Sequence, residues 1–317
     1  MANEKIKILI TGSSGFLMSN FIRNATYEKK NWDIVGVDKI STSSALNSIY
    51  VSKYYTNHIA DITDNHIFSR IVEYERPDII IHAAAYGSNE LVDVNSRAYY
   101  ERNNILGTGI VSNVAVKFGV KKLIYISTDS VYGQLKSEND PSWEETDNTN
   151  PRNIYSSSKL IGEKIISECK IKSNIIRISN SYGYRQGINN LIPKTLKSIF
   201  NNDKVIVFNQ GKLIRDWMHV KDSFSGIVSI IENGENKEIY NLGAGQEFSD
   251  LEAIQLIHKS IKSEMNIEFD KNEIDYDFRH SLNCSKLKKL GWSPKIKFRD
   301  GILDVVNWFD LNRYWLK

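Results

Sequence analysis

The 317-residue chain has only two cysteines, Cys169 and Cys284, far apart and in no CxxC arrangement. This argues against a disulfide framework and against a cysteine-based metal centre, and leaves two reduced thiols as the simplest reading. The six histidines are dispersed as well, so no metal site is expected. Charge of one sign is also lacking. The net charge is +3, with lysine and glutamate scattered rather than blocked, so no nucleic-acid footprint is expected. No apolar run is long enough for a signal peptide or a membrane span, which makes a cytoplasmic protein without a membrane partner the default expectation. The rest of the composition, 41% hydrophobic and 25% charged, is that of a soluble globular protein long enough to bury a substantial core.

Strand and helix patterns alternate through the first half. Lys5–Ile10 is a short apolar run of the kind that forms a buried parallel strand, and Phe16–Tyr27 has helical apolar spacing. Further strands are predicted at Trp32–Val37, Asp78–His82, Lys122–Ser127 and Ile175–Ile178. Helices are predicted at Asp64–Tyr74, Ala98–Phe118 and Asn153–Lys170. This rhythm implies an α/β fold with a doubly wound parallel sheet covered on both faces. Beyond about residue 180 the rhythm loosens. Helices at Ser223–Glu232, Asp250–Lys262 and Arg299–Phe309 are separated by polar loops, which predicts a smaller C-terminal substrate lobe. The expected division is a Rossmann domain over 1–180, rejoined by segments around 213–245, and a second lobe over most of 181–317.

The turn Thr11-Gly12-Ser13-Ser14-Gly15-Phe16-Leu17 follows the first strand and opens the first helix. Gly12 permits a tight turn, Gly15 lets backbone approach a pyrophosphate, and the helix start offers free N–H donors. A strand-to-helix turn that binds nothing is the alternative. Asp38 ends the second strand, where a carboxylate accepts hydrogen bonds from ribose hydroxyls and repels a 2′-phosphate, favouring NAD over NADP. Lys39 beside it weakens that preference. Asp61-Ile62 is placed to cap adenine, although Asp61 reads equally well as a turn or helix-cap residue. The third small residue of the fingerprint is replaced by Met18, for which a local adjustment of helix against sheet is expected.

Tyr155 and Lys159, four apart on a predicted helix, share one face. An ammonium beside a phenol favours the phenolate, which can take a proton from a carbinol while hydride leaves for nicotinamide. Thr128, at the end of the fourth strand, carries a hydroxyl able to share that proton, and Asp129 is a potential acid. The alternative for Thr128 is a strand end making turn hydrogen bonds.

Together these residues resemble the extended short-chain dehydrogenase/reductase family, among its nucleotide-sugar epimerases and dehydratases. The resemblance also rests on Ala83-Ala84-Ala85, Asn104 to Thr108, Ser127 to Gly133, Ser179 to Gly183, Leu191 to Pro193, Ile214 to Trp217, Tyr240 to Gly243 and Leu290 to Trp292. The pattern looks most like that of dTDP-glucose 4,6-dehydratases. The resemblance implies that Ala83, Ala84, Ala85, Asn104 and Ser127 line the NAD site. It further implies that Asn180, Asn190, Arg215 and Arg279 hold a nucleoside-diphosphate sugar; an internal pair with Asp216 or Asp222 is the alternative for Arg215. Tyr86 to Glu90 are placed by their location to shape the sugar pocket. A homodimer joined through the Ala98–Phe118 and Asn153–Lys170 helices is a further implication.

One position departs from the resemblance. The dehydratases carry Thr-Asp-Glu, whereas this chain has Thr128-Asp129-Ser130. A serine hydroxyl is too weak a base to replace the glutamate that takes the C5 proton. The expected activity is oxidation at C4 to a 4-keto sugar, ending in epimerisation or dehydrogenation. The alternatives are dehydration through another acid or base, and an inactive nucleotide-binding protein on the same fold.

Overall fold

The computed structural model describes residues 5–28, 31–41, 44–49, 52–87, 96–271 and 277–317. Among the described residues twelve strands form, in chain order: β1 Ile6–Thr11, β2 Trp32–Asp38, β3 Tyr55–Ile59, β4 Ile79–His82, β5 Lys122–Thr128, β6 Lys172–Ile178, β7 Asn180–Tyr182, β8 Val205–Val207, β9 Ile214–His219, β10 Ile239–Leu242, β11 Glu247–Ser249 and β12 Ile267–Phe269. The helices are α1 Phe16–Glu28, α2 Asn65–Glu75, α3 Ser96–Tyr100, α4 Gly107–Lys117, α5 Ile154–Glu168, α6 Leu191–Phe200, α7 Val220–Asn233, α8 Asp250–Ile261, α9 Ser285–Lys289 and α10 Phe298–Leu311. A π-helical stretch, Glu101–Leu106, joins α3 to α4.

Seven strands make one parallel sheet in the order β10-β6-β5-β4-β1-β2-β3. The chain winds outward from β1 to β3, then restarts on the other side of β1 with β4. That reversal opens a crevice at the carboxyl ends of β1 and β4, where such folds bind dinucleotides. The sheet strands are rich in Ile, Val and Leu because both faces are covered. Alternate residues feed two cores. Ile8, Ile10, Ile81, Ile124 and Ile176 pack with α1 and α7 through Phe21, Ile22 and Ile227. Leu9, Val35, Ile80, Leu123 and Ile175 pack with α2, α4 and α5 through Phe68, Val72, Val111 and Ile166. Met18 is buried in the first core, so the helix accommodates the long side chain inward.

The second half contributes β10 and α7 to this sheet unit and builds the remainder separately. Strands β11-β9-β7 form a small mixed sheet, β8 pairs with β12, and α6, α8 and α10 close a third core around Tyr182, Trp217 and Phe298. Trp217 is core here, its Nε1 donating to the Phe248 carbonyl at 3.0 Å. Among the described residues no helix is long and apolar enough to cross a membrane.

Candidate active site

The β1–α1 turn is built from backbone. Gly12 has φ +71°, and a Cβ there would lie 2.7 Å from the Ala84 nitrogen, so only glycine lets this turn lie against the end of β4. Gly12 N–H donates to the Val37 carbonyl and Gly15 N–H to the Gly12 carbonyl. Asp38 anchors the turn from β2: one carboxylate oxygen accepts from Ser14 N–H at 2.9 Å, the other from Ile40 N–H at 2.8 Å. Each oxygen keeps a second lone pair for a ribose hydroxyl. The first turn of α1 carries no acidic residue, so its partial positive charge is not offset. A bare glycine turn, an uncompensated helix start and a carboxylate at the end of β2 fit a dinucleotide. Phe16 and Leu17 are the first residues of that helix.

The adenosine side is more closely tied than the sequence suggested. Asp61 accepts from Thr63 N–H at 2.9 Å and Thr63 Oγ1 at 2.8 Å, and lies 3.6 Å from Arg102. Both bonds fall on Oδ1, so Asp61 shapes the turn while Oδ2 keeps the capacity to accept from a ligand. Ile62 is buried. Lys39 Nζ donates to Asn103 Oδ1 at 2.8 Å, which draws its charge toward the π-helical stretch.

Behind the crevice lies a buried histidine. His82 Nδ1 is 2.7 Å from Thr11 Oγ1, and its Nε2 is 2.9 Å from Thr108 Oγ1. Thr108 donates onward to the Asn104 carbonyl at 2.6 Å, so Nε2 carries the ring proton and Nδ1 accepts. Burial pushes the imidazole down to about 3, so His82 is neutral and ties β1, β4 and α4 together. Asn104, expected at the cofactor, has a side chain that accepts from Tyr86 N–H at 2.7 Å and donates to the Tyr86 carbonyl and to Ser158 Oγ. It staples the loop after β4 to α5 and keeps one lone pair on Oδ1. Ala83 and Ala84 lie partly buried in that loop, Ala85 is exposed, and Ser88, Asn89 and Glu90 lie outside the described residues.

Thr128, Tyr155 and Lys159 come together at the end of β5. Asn153 caps α5 with a capping box through Ser156, which sets the helix start and hence Tyr155 and Lys159 one turn apart. Tyr155 is hydrogen-bonded to Thr128, and its ring lies against that of Tyr100. Thr128 Oγ1, Asp129 Oδ1 and Ser130 Oγ lie within 3.3 Å of one another. Lys159 Nζ sits 4.2 Å from the centre of the Tyr125 ring. The expected lowering of Tyr155 by the ammonium is not found. Burial, then the Asp129 carboxylate, push the phenol up to about 12, and burial pushes Lys159 down to about 7. Desolvation opposes the charged form of both groups, and at Lys159 it outweighs the attraction of the Glu163 carboxylate.

Four residues escaped the sequence reading. Glu163 lies buried one turn beyond Lys159, where Ser127 Oγ donates to it at 2.5 Å and Arg177 donates through Nη2 at 2.7 Å. This pair locks α5 onto β5 and β6, and it takes up the Ser127 hydroxyl that was expected at the cofactor. The Tyr155-Lys159-Glu163 spacing, four and four, was the available signal. His280 and Asp277 had none. His280 Nδ1 lies 3.4 Å from Asp129 Oδ2, and its Nε2 lies 2.9 Å from Asp277 Oδ2.

On the second lobe, Asn180 begins β7 opposite Trp217, and Asn190 caps α6 with its side chain donating to the Gly187 carbonyl at 2.9 Å. Arg215 pairs with neither Asp216 nor Asp222; its Nη1 donates to the Ile214 carbonyl at 2.8 Å. Arg279, expected at the diphosphate, is bonded internally in this structure. Its guanidinium bonds Glu247 at 2.9 Å through Nη2 and the Asp140 carbonyl at 2.7 Å through Nη1, in a buried internal pair.

A glycine turn with a carboxylate partner, opening onto a buried Thr-Tyr-Lys cluster, defines a Rossmann enzyme that oxidises or reduces with a nicotinamide dinucleotide. The chain belongs to the NAD dependent epimerase/dehydratase family, whose model matches residues 8–243. It is 32% identical to dTDP-D-glucose 4,6-dehydratase of Dictyostelium discoideum, over 98% of this chain and 83% of that protein. It is 30% identical to the mouse protein of the same name, over 96% of this chain and 89% of the relative. Among solved structures, dTDP-glucose 4,6-dehydratase from Bacillus anthracis in complex with NAD superposes with a TM-score of 0.90 at 27% identity, covering 98% of this chain and all of that one. The cofactor is NAD.

Proposed function

We propose that this enzyme oxidises C4 of a nucleoside-diphosphate sugar to a 4-keto intermediate, which ends in 4-epimerisation or 4-dehydrogenation. The observation that carries this reading is the end of β5. Thr128, Tyr155 and Lys159 converge there, while residue 130 is a serine whose hydroxyl is already bonded to Thr128 and Asp129. Bound NAD supplies the hydride acceptor. Thr128 and Tyr155 hold the carbinol oxygen and receive its proton, and Lys159 lies on the same face of α5. Tyr86, packed against Tyr99 and Tyr100, walls the sugar side. Asn180, Asn190 and Arg215 present the polar groups of the second lobe to the nucleotide. The names of the relatives support a nucleotide sugar as substrate. A homodimer is part of the same reading, and it fits the exposed Tyr99, Leu106, Ile154 and Ile161 on the helices expected to pair.

Dehydration is the second reading, favoured by the retained Asp129 carboxylate beside Thr128. A mass-spectrometric product screen across nucleotide sugars separates the two. Unchanged mass with a changed sugar, or loss of two hydrogens, is expected. Loss of water would overturn the preference, and no product from any nucleotide sugar would overturn the proposal.

A further inference from the structure

Oxidising a carbinol releases a proton as well as a hydride, and this site has few places to put it. Tyr155 receives the proton in the reading above, and the groups bonded to it decide where that proton can go next. Its hydrogen-bond partner is Thr128, whose Oγ1 lies 3.2 Å from Asp129 Oδ1. The other Asp129 oxygen faces His280 Nδ1 at 3.4 Å. His280 Nε2 is 2.9 Å from Asp277 Oδ2, and Asp277 Oδ1 accepts from Arg152 Nη1 at 2.8 Å. His280 and Asp129 are both buried. The groups therefore alternate in sign from the rim of α5 inward: guanidinium, carboxylate, imidazole, carboxylate. The Asp129–His280 contact joins residues 151 positions apart.

We infer that the carbinol proton leaves through Tyr155 and Thr128 to Asp129, and that His280, held by Asp277, is the positioning residue that orients and tunes Asp129 for this transfer. The inference rests on the carbinol-oxidation reading above. In the step, the C4 hydride goes to NAD and the C4–O bond becomes a carbonyl. The carbinol proton moves to Tyr155 Oη as the Tyr155 proton moves to Thr128 Oγ1 and the Thr128 proton to Asp129 Oδ1. The reverse sequence returns the proton when the ketone is reduced. Serine at 130 leaves this path intact, since its hydroxyl bonds the same Thr128 and Asp129. A histidine between two carboxylates is best served as a cation, with Nε2–H directed to Asp277 and Nδ1–H to Asp129. Asp129 and Asp277 raise its proton affinity against burial and against Arg215, the other charged group acting on it.

Two measurements test this. The first needs no substrate: the His280 imidazole, assigned by the resonance lost in His280→Gln, is titrated by NMR in the full-length protein. Its midpoint is expected above the ordinary histidine value of about 6.5, and to fall by about one unit or more in Asp129→Asn. An unchanged midpoint in Asp129→Asn overturns the coupling. The second is the pH profile of single-turnover NADH formation. His280→Gln keeps a neutral donor but removes the cation, so the rate is expected to fall about ten- to a hundredfold and the acid limb to move up by about one unit. A rate within twofold of wild type with an unmoved limb overturns the inference. A melting temperature for the variant, and Asp277→Asn as a second route to the same shift, guard against a folding defect. If the wild-type protein forms no NADH with any nucleotide sugar, the carbinol-oxidation reading falls, and the His280–Asp129 coupling is decided by the titration alone.

Discussion

Lys159 rests its ammonium 4.2 Å from the centre of the Tyr125 ring. The two come this close because α5 presses onto β5. Gly162, on the next turn, is where they would first collide: a Cβ there would lie 2.1 Å from the Tyr125 hydroxyl oxygen. Tyr125 is thus both the floor under Lys159 and the spacer between helix and sheet.

That contact predicts the behaviour of Gly162→Ala. The added methyl must push α5 outward or displace Tyr125, at a cost of about 1–3 kcal/mol. The displacement also moves Lys159 and Tyr155 relative to Thr128, so turnover falls as well. Tyr125→Phe removes the nearest atom but keeps the ring Cζ, 2.7 Å from the added methyl, so the double variant should recover part of the lost stability. Thermal or urea unfolding checks this; a double variant no more stable than Gly162→Ala would refute the packing argument.

A second prediction concerns pH. Lys159 titrates at about 7 in the folded protein, below its ordinary value of 10.5. Below pH 7 both folded and unfolded chains hold the proton, and the folded protein bears the full cost of a buried ammonium. Between pH 7 and 10.5 the unfolded chain binds more protons, so this contribution makes stability rise with pH. Tyr155, raised to about 12, acts in the opposite sense only above its ordinary 10.0. Lys159→Met should therefore melt above wild type near pH 6, with the gap shrinking toward pH 9.5. A gap constant across that range would contradict the shift.

Asp38 predicts cofactor choice. Asp38→Asn keeps a hydrogen-bonding side chain at the end of β2 but removes the charge. Affinity for NAD should fall about ten- to a hundredfold, the loss of charge-assisted bonds. NADP should lose less or gain, because the repulsion of its 2′-phosphate is gone. Calorimetric titration with both dinucleotides measures the ratio. An unchanged NAD-to-NADP ratio would remove Asp38 from the ribose.

Local chemistry explains which parts of this molecule were legible in the sequence. Ile6–Thr11, the glycine turn and Phe16–Glu28 were readable because a buried parallel strand, a left-handed glycine and a helical apolar face each leave a signature within a few residues. The Tyr155–Lys159 spacing was readable for the same reason. The helix Leu191–Phe200 was not: its proline, Pro193, reads as loop, although a proline in the first turn of a helix costs little. The three-residue strands β7, β8, β11 and β12 are too short for any periodicity, and their pairing is decided by partners far along the chain. At the site, long-range contacts add what local sequence does not carry: Asn104 bonds Tyr86 and Ser158, and Arg279 bonds Glu247. The expected phenolate was misjudged because spacing along a helix reports proximity and says nothing of burial.

The central claim is that hydride leaves C4 of a nucleotide-linked sugar while Tyr155 takes the carbinol proton. The most direct test uses nucleotide sugars deuterated at C4, mixed with the protein carrying NAD, with the cofactor released by quenching and analysed by mass spectrometry. Deuterium should appear in the reduced nicotinamide with the wild-type protein and drop at least a hundredfold in rate with Tyr155→Phe. Wild-type protein that turns over a C4-deuterated sugar without transferring the label to the cofactor would contradict the account.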